Sequence, residues 1–175
     1  MFATIYLPNF YLQAATRHQP ELSVKPVALI ETQDRKIIIT QLNKNAEAAG
    51  VRSGMTPSQG LARFLSLIIK TRALEQEKVL SELLLQYAFT LSPNVETTVP
   101  GICRVEFTNC RDLLSKVSRV VEQFAASKID AQAAIAPSPD TSLLAAHLAR
   151  PVLEIDNAKD FLAPLPIETL AISDG

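Results

Sequence analysis

The side chains through which this chain could do chemistry are few, and most stand alone. His18 and His147 are the only histidines, and neither has partners at metal-ligand spacing, so both read as structural. Ser138 and Ser142 have no recognisable base beside them, which leaves nucleophilic catalysis unsupported. Cys103 and Cys110 are the only thiols, too few for a disulfide framework and without a CxxC spacing, and are expected to be reduced and structural. The functional side chains that do gather in one stretch are basic: Arg35, Lys36, Lys44, Arg52 and Arg63. Such a run of charge is either ordinary solvated surface or a place for contact with phosphates, and the residues alone leave both open.

The overall charge of −1 carries no nucleic-acid signature, but the charge is unevenly spread. Residues 16–72 hold nine Lys or Arg against four Asp or Glu, and the rest of the chain holds eight against fourteen. This pattern describes a basic lobe on an acidic body. The 175 residues, 47% of them hydrophobic, suffice for one good core with a small satellite. No apolar run reaches the roughly 20 residues of a membrane-spanning helix, and Met1 leads straight into a strand-like segment. A soluble cytoplasmic protein, neither exported nor membrane-bound, is the expectation.

The elements that must position these residues follow from periodicity and punctuation. Phe2 to Leu7 is rich in β-formers and is stopped by Pro8. Pro26 to Glu31 and Lys36 to Gln41 read as strands about the hairpin-like Thr32-Gln33-Asp34-Arg35. A short helix is expected from Asn43 to Ala49, stopped by Gly50. Thr56-Pro57-Ser58-Gln59 combines a capping box with proline at the first helical position. Leu67 to Thr71 is a short strand. In the long helix expected at 75–91, Leu80, Leu83, Leu84, Tyr87, Ala88 and Leu91 share one face. Strands at 94–99 and 102–108 make a hairpin about Pro100-Gly101. Helix 112–126, strand 129–136, helix 140–150 and strand 152–155 complete the chain. With the basic stretch set aside, the order is βαββαβ, an α+β ferredoxin-like arrangement with a small α/β lobe inserted after the first strand.

Three segments resemble the Y-family, or translesion, DNA polymerases, whose palm has this topology and whose fingers are inserted at this point. Ala46-Glu47-Ala48-Ala49-Gly50-Val51-Arg52-Ser53-Gly54-Met55 is similar to a fingers stretch of that family. Ala134-Ile135-Ala136-Pro137, through Leu144-Ala145 to Arg150-Pro151, is similar to its Gly-Ile-Ala-Pro strand and the helix ending in Lys-Pro. Phe161-Leu162-Ala163-Pro164-Leu165-Pro166-Ile167 resembles the lead into the thumb. The resemblance implies a palm at 1–15 and 67–167, fingers at 16–66, and the start of a missing thumb at 168–175.

Such polymerases transfer a nucleotide with carboxylates that hold two divalent ions, and hard Mg²⁺ needs oxygen ligands. Aligning the family's aromatic pair on Phe10-Tyr11 puts Tyr6 and Pro8 where its aspartates stand. Aligning its next acidic motif on Val105-Glu106-Phe107-Thr108 puts Gly101 and Ile102 where its Asp-Glu pair stands. Its triphosphate ligands correspond to Lys44, Glu47 and Pro139. The resemblance therefore points to a chain that is not an enzyme and holds no catalytic residues, cofactor or metal. It is nearest to the ImuB-type, polymerase-like members of bacterial mutagenesis cassettes.

What this implies is a non-catalytic adaptor in damage-induced translesion synthesis. Its expected partners are the sliding clamp, an error-prone polymerase and a RecA-like accessory protein, met through regions outside this chain. Weak, salt-sensitive contact with damaged primer–template DNA would run through Arg35, Lys36, Lys44, Arg52 and Arg63. Met55 and Phe64 could approach a base pair but are expected in the core. Two alternatives stand beside this reading. One is a metal-dependent nucleotidyltransferase or DNA polymerase whose relocated carboxylates include Glu96, Glu106 or Asp130. The other is a ferredoxin-like interaction domain unrelated to DNA.

Overall fold

The computed structural model describes residues 1–97, 99–108 and 111–170. Thr98 of the expected strand, Cys110, and residues 171–175 of the expected thumb start lie outside the described residues. The chain forms two compact units, one of Met1–Pro8 with the residues from Ser81 onward, the other Asn9–Leu80.

In the first unit, β1 (Phe2–Tyr6), β5 (Val95–Thr97), β6 (Ile102–Glu106), β7 (Gln132–Ala136) and β8 (Val152–Glu154) form one sheet in the order β5-β6-β1-β7-β8. β1 runs antiparallel to both β6 and β7, and β8 joins β7 in parallel. The order of the first four strands is that of the expected ferredoxin-like βαββαβ unit. The α-helices of this repeat are α4 (Leu74–Leu91) and α5 (Leu113–Ala126). Side chains alternate across the sheet, and Ala3, Ile5, Cys103, Val105, Ala133 and Ile135 are fully buried. Phe124, also fully buried, meets Tyr87 edge to face at 4.7 Å, joining α5 to α4. On the other face, α6 (Pro139–Leu148) crosses β1 and β7. Alanines at 134, 136, 145 and 146 let it approach closely, and Thr4 Oγ1 meets Ser142 Oγ at 2.7 Å in the buried contact. A last short helix, α7 (Ala158–Leu162), which periodicity did not reveal, packs Phe161 on this layer.

Burial holds the Cys103 thiol up at about 12. The thiol therefore stays protonated at neutral pH and should resist iodoacetamide in the native protein, labelling at the rate of unfolding. Labelling as fast as a free thiol would show that this strand is open to solvent.

The second unit holds a small sheet of β2 (Val27–Gln33), β3 (Lys36–Leu42) and β4 (Ile68–Lys70), in the order β3-β2-β4. The β2–β3 turn is two residues long, and both Asp34 and Arg35 have positive φ, 48° and 63°. This is the primed turn that matches the twist of a hairpin. α2 (Lys44–Ala48) is capped by Asn43, whose side chain accepts from Ala46 N, and Gly50 follows in the left-handed conformation. α3 (Pro57–Arg63) starts with the full Thr56/Gln59 capping box. Gly60 faces Ile39 and Leu67, where an added Cβ would lie 2.9 Å from each. α1 (Phe10–Thr16) packs Leu12 against Leu22, Val27 and Leu29. The expected lobe boundaries, 15/16 and 66/67, thus differ from the division at 8/9 and 80/81. α1 goes with the inserted sheet because it covers one face of it. The start of α4, Leu74–Leu80, goes with it, and there Arg72 grips Glu77.

Candidate functional site

Where β1 ends, Tyr6 lies opposite Ile102 on one side and Gln132 on the other. The Tyr6 ring tilts onto His147 of α6, with centroids 4.1 Å apart. Burial pushes the Tyr6 hydroxyl above its usual range, so it stays protonated. Ile102 is buried. Gln132, its amide oriented to suit both neighbours, donates to Ala146 O at 3.1 Å and accepts from Arg150 Nη1 at 3.0 Å. Gly101 turns the chain at φ 81° and accepts from Leu7 N at 2.8 Å, which fixes Tyr6, Pro8, Gly101 and Ile102 around one strand end.

This neighbourhood does not fit a pair of divalent cations. It offers a neutral phenol, a proline, a glycine and an aliphatic chain, with a guanidinium held by Gln132, and none of these is an anionic oxygen. The carboxylates considered as replacements do not gather here. Glu96 faces Arg104 and bonds it. Glu106 lies opposite Phe2, at the far end of β6 from Ile102, and Asp130 is exposed ahead of β7. Among the described residues, no three His, Cys, Asp or Glu side chains come together in a way that could hold a metal ion.

The five basic candidates of the second unit, Arg35, Lys36, Lys44, Arg52 and Arg63, are all exposed but do not form one patch. Arg35 and Lys36 sit at the hairpin tip, and Lys44 lies just past the other end of β3, about 20 Å of extended strand away. Arg63 closes the last turn of α3. Arg52 folds back, and its Nη1 donates to Glu47 O at 2.6 Å and Val51 O at 2.8 Å, satisfying carbonyls at the end of α2. Among the described residues, Arg35, Lys36, Lys44 and Arg63 make no salt bridge, whereas Arg72, Lys78 and Arg104 do.

The remaining candidates have local duties. Ser138 caps α6 by accepting from Thr141 N, and Ser142 donates to Pro139 O. His18 shares a 2.8 Å hydrogen bond with Gln76. Met55 packs on the core of the small sheet, and Phe64, expected in the core, is 37% exposed at the end of α3.

Two groups escaped the sequence reading. Arg72 stacks 3.9 Å over the Tyr11 ring while its guanidinium takes Glu77 in a fork and reaches Glu31 at 3.4 Å. These hydrogen bonds raise its already high pKa further. Arg104 lies opposite Glu96, a pair that could have been found, since the two are equidistant from Pro100.

Comparison with known proteins follows the same lines as the fold. The model of the impB/mucB/samB family (IMS) matches residues 5–147. DNA polymerase IV of Pseudomonas syringae pv. tomato is 24% identical over 170 residues, covering 92% of this chain and 48% of that protein. DNA polymerase IV of Shewanella woodyi is 25% identical over 168 residues, covering 90% and 46%. The chain spans about half the length of these relatives. Among solved structures, an insertion ternary complex of Dbh DNA polymerase superposes with a TM-score of 0.84 at 16% identity, covering 96% of this chain and 53% of that one. DinB from Sulfolobus solfataricus gives 0.82 at 16% identity, covering 96% and 52%. These relatives overturn the expectation that the chain is not an enzyme, because the curated proteins it matches are named as polymerases. Membership of the impB/mucB/samB family, with a fold shared with DNA polymerases, makes this chain a Y-family DNA polymerase-like protein.

Proposed function

We propose that the chain supplies the palm and fingers through which a Y-family DNA polymerase-like protein engages primer–template DNA in bacterial DNA-damage tolerance. The observation that carries this reading is an inserted unit whose Arg35, Lys36, Lys44 and Arg63 are exposed and, among the described residues, unbridged, in a chain whose palm fold is shared with polymerases. Exposed lysine and arginine suit sequence-independent contact with phosphates, as a protein acting on damaged templates requires.

Arg35, Lys36, Lys44 and Arg63 are the proposed phosphate contacts, with Arg52 contributing through the donors it does not spend on α2. The strand end at Tyr6, Pro8, Gly101 and Ile102 is proposed to hold no metal. Work in induced mutagenesis in the cytoplasm, with a sliding clamp, an error-prone polymerase and a RecA-like accessory protein bound through other regions, belongs to the same proposal. In support of a soluble site of action, none of the described helices is long and apolar enough to cross a membrane.

Fluorescence anisotropy with a labelled primer–template tests the reading. Binding should weaken linearly in log affinity against log salt, with a slope of about −2 to −4 if three or four phosphates are neutralised. No binding at low salt would overturn it.

A further inference from the structure

Arg104 occupies the middle of β6, with Thr4 opposite it on β1 and Glu96 opposite it on β5. Cross-strand partners share a face, and Thr4 is bonded to Ser142 of α6, so all three lie on the α6 side of the sheet. α6 crosses β1 and β7, so Arg104 stands at its flank, towards the β5 edge.

A guanidinium has five N–H donors, and among the described residues this one makes a single hydrogen bond. Nη1 reaches Glu96 Oε2 at 3.3 Å, longer than the roughly 2.7–2.9 Å usual for charge-assisted pairs. Nε has no partner and no exposed surface. The Arg104 side chain is 19% exposed, while Glu96 is 64% exposed. A largely desolvated cation is thus held by one long contact from a carboxylate that sits mostly in water. Such a cation gains from an anion able to meet its fork with two oxygens, as the non-bridging oxygens of a phosphodiester do, and Glu96 can turn away into solvent at small cost.

We propose that Arg104 is a contact for a nucleic-acid backbone phosphate on the α6 side of the sheet, towards the β5 edge, masked in the free protein by Glu96. The inference rests on the reading that this protein engages DNA. An arriving phosphate replaces Glu96 on the guanidinium, and the carboxylate moves into water. No covalent change is involved. Glu106, exposed two residues along β6, faces the same side, as do Tyr6 and Ile102 two residues the other way. With both glutamates charged, the patch is net negative, so the resting protein holds phosphate weakly here and gains when Glu96 is neutralised.

The test uses the whole chain and a labelled primer–template duplex with a single-stranded overhang, titrated at several salt concentrations. Glu96→Gln should tighten binding about three- to tenfold, since the phosphate no longer has to displace a carboxylate from the guanidinium. Arg104→Gln should loosen binding by a similar factor and flatten the slope, and Arg104→Lys should restore the slope. If wild type binds and Glu96→Gln leaves affinity unchanged, the pair is a structural ion pair and the masking proposal fails while DNA engagement stands. If wild type does not bind, both fail. Should Arg104→Gln unfold, as a melting curve would show, the Glu96→Gln comparison alone decides.

Discussion

A chain carrying glutamine at Arg35, Lys36, Lys44, Arg52 and Arg63 together should lose about a hundredfold or more in affinity for primer–template DNA at low salt. Its salt slope should flatten by about three or four. The five positions span the β2–β3 hairpin, both ends of α2 and the end of α3, so the loss should build up in steps as single replacements are combined. Arg52→Gln is the exception within the set. Its guanidinium already bonds Glu47 O and Val51 O, so that replacement should lower thermal stability more, and DNA affinity less, than Lys44→Gln. Anisotropy and a melting curve on each variant separate the two effects. Equal losses of affinity from Arg52 and Lys44 would show that the fold-back is released on DNA.

Arg72→Ala should produce the largest stability loss of any exposed-residue change in the second unit, about 2–3 kcal/mol. Glu77 is 7% exposed and is gripped in a fork by Arg72, so removing the cation strands a buried carboxylate. The Tyr11 ring loses its covering charge at the same time. The figure falls below that for a fully buried pair because the Arg72 side chain is 36% exposed and water can partly replace it. Arg72→Ala combined with Glu77→Gln should recover a good part of the loss, since no unpaired charge is then left inside. Urea melts of the four chains of this cycle measure the coupling directly. A double variant no more stable than the single would place the cost in the lost Tyr11 contact.

The fold was legible where local signals agreed. The Thr56-Pro57-Ser58-Gln59 box, the Leu80/Leu84/Ala88 face of α4 and the order of elements led to the ferredoxin-like unit without long-range information. The division into units was less legible, because α1 and the start of α4 belong to the inserted unit through side-chain contacts that no periodicity encodes. The strand end at Tyr6 could be compared with a motif, but its surroundings could not be foreseen. Tyr6 meets His147, and Thr4 meets Ser142, across more than 130 residues of chain. Histidine read as structural from its lack of ligand spacing turned out to be an aromatic neighbour of the site. The absence of carboxylates at four positions led too far when it was extended to the absence of an activity, since a ligand position and an enzyme class are different statements.

The end of β1 is lined by a phenol, an imidazole and an aliphatic side chain, with Arg150 tied to Gln132 nearby. Diffraction from crystals soaked in Mn²⁺, collected at a wavelength where manganese scatters anomalously, tests this most directly. No anomalous peak is expected beside Tyr6, Pro8, Gly101 or Ile102. One or two peaks there, with protein oxygens about 2.0–2.3 Å away, would contradict it.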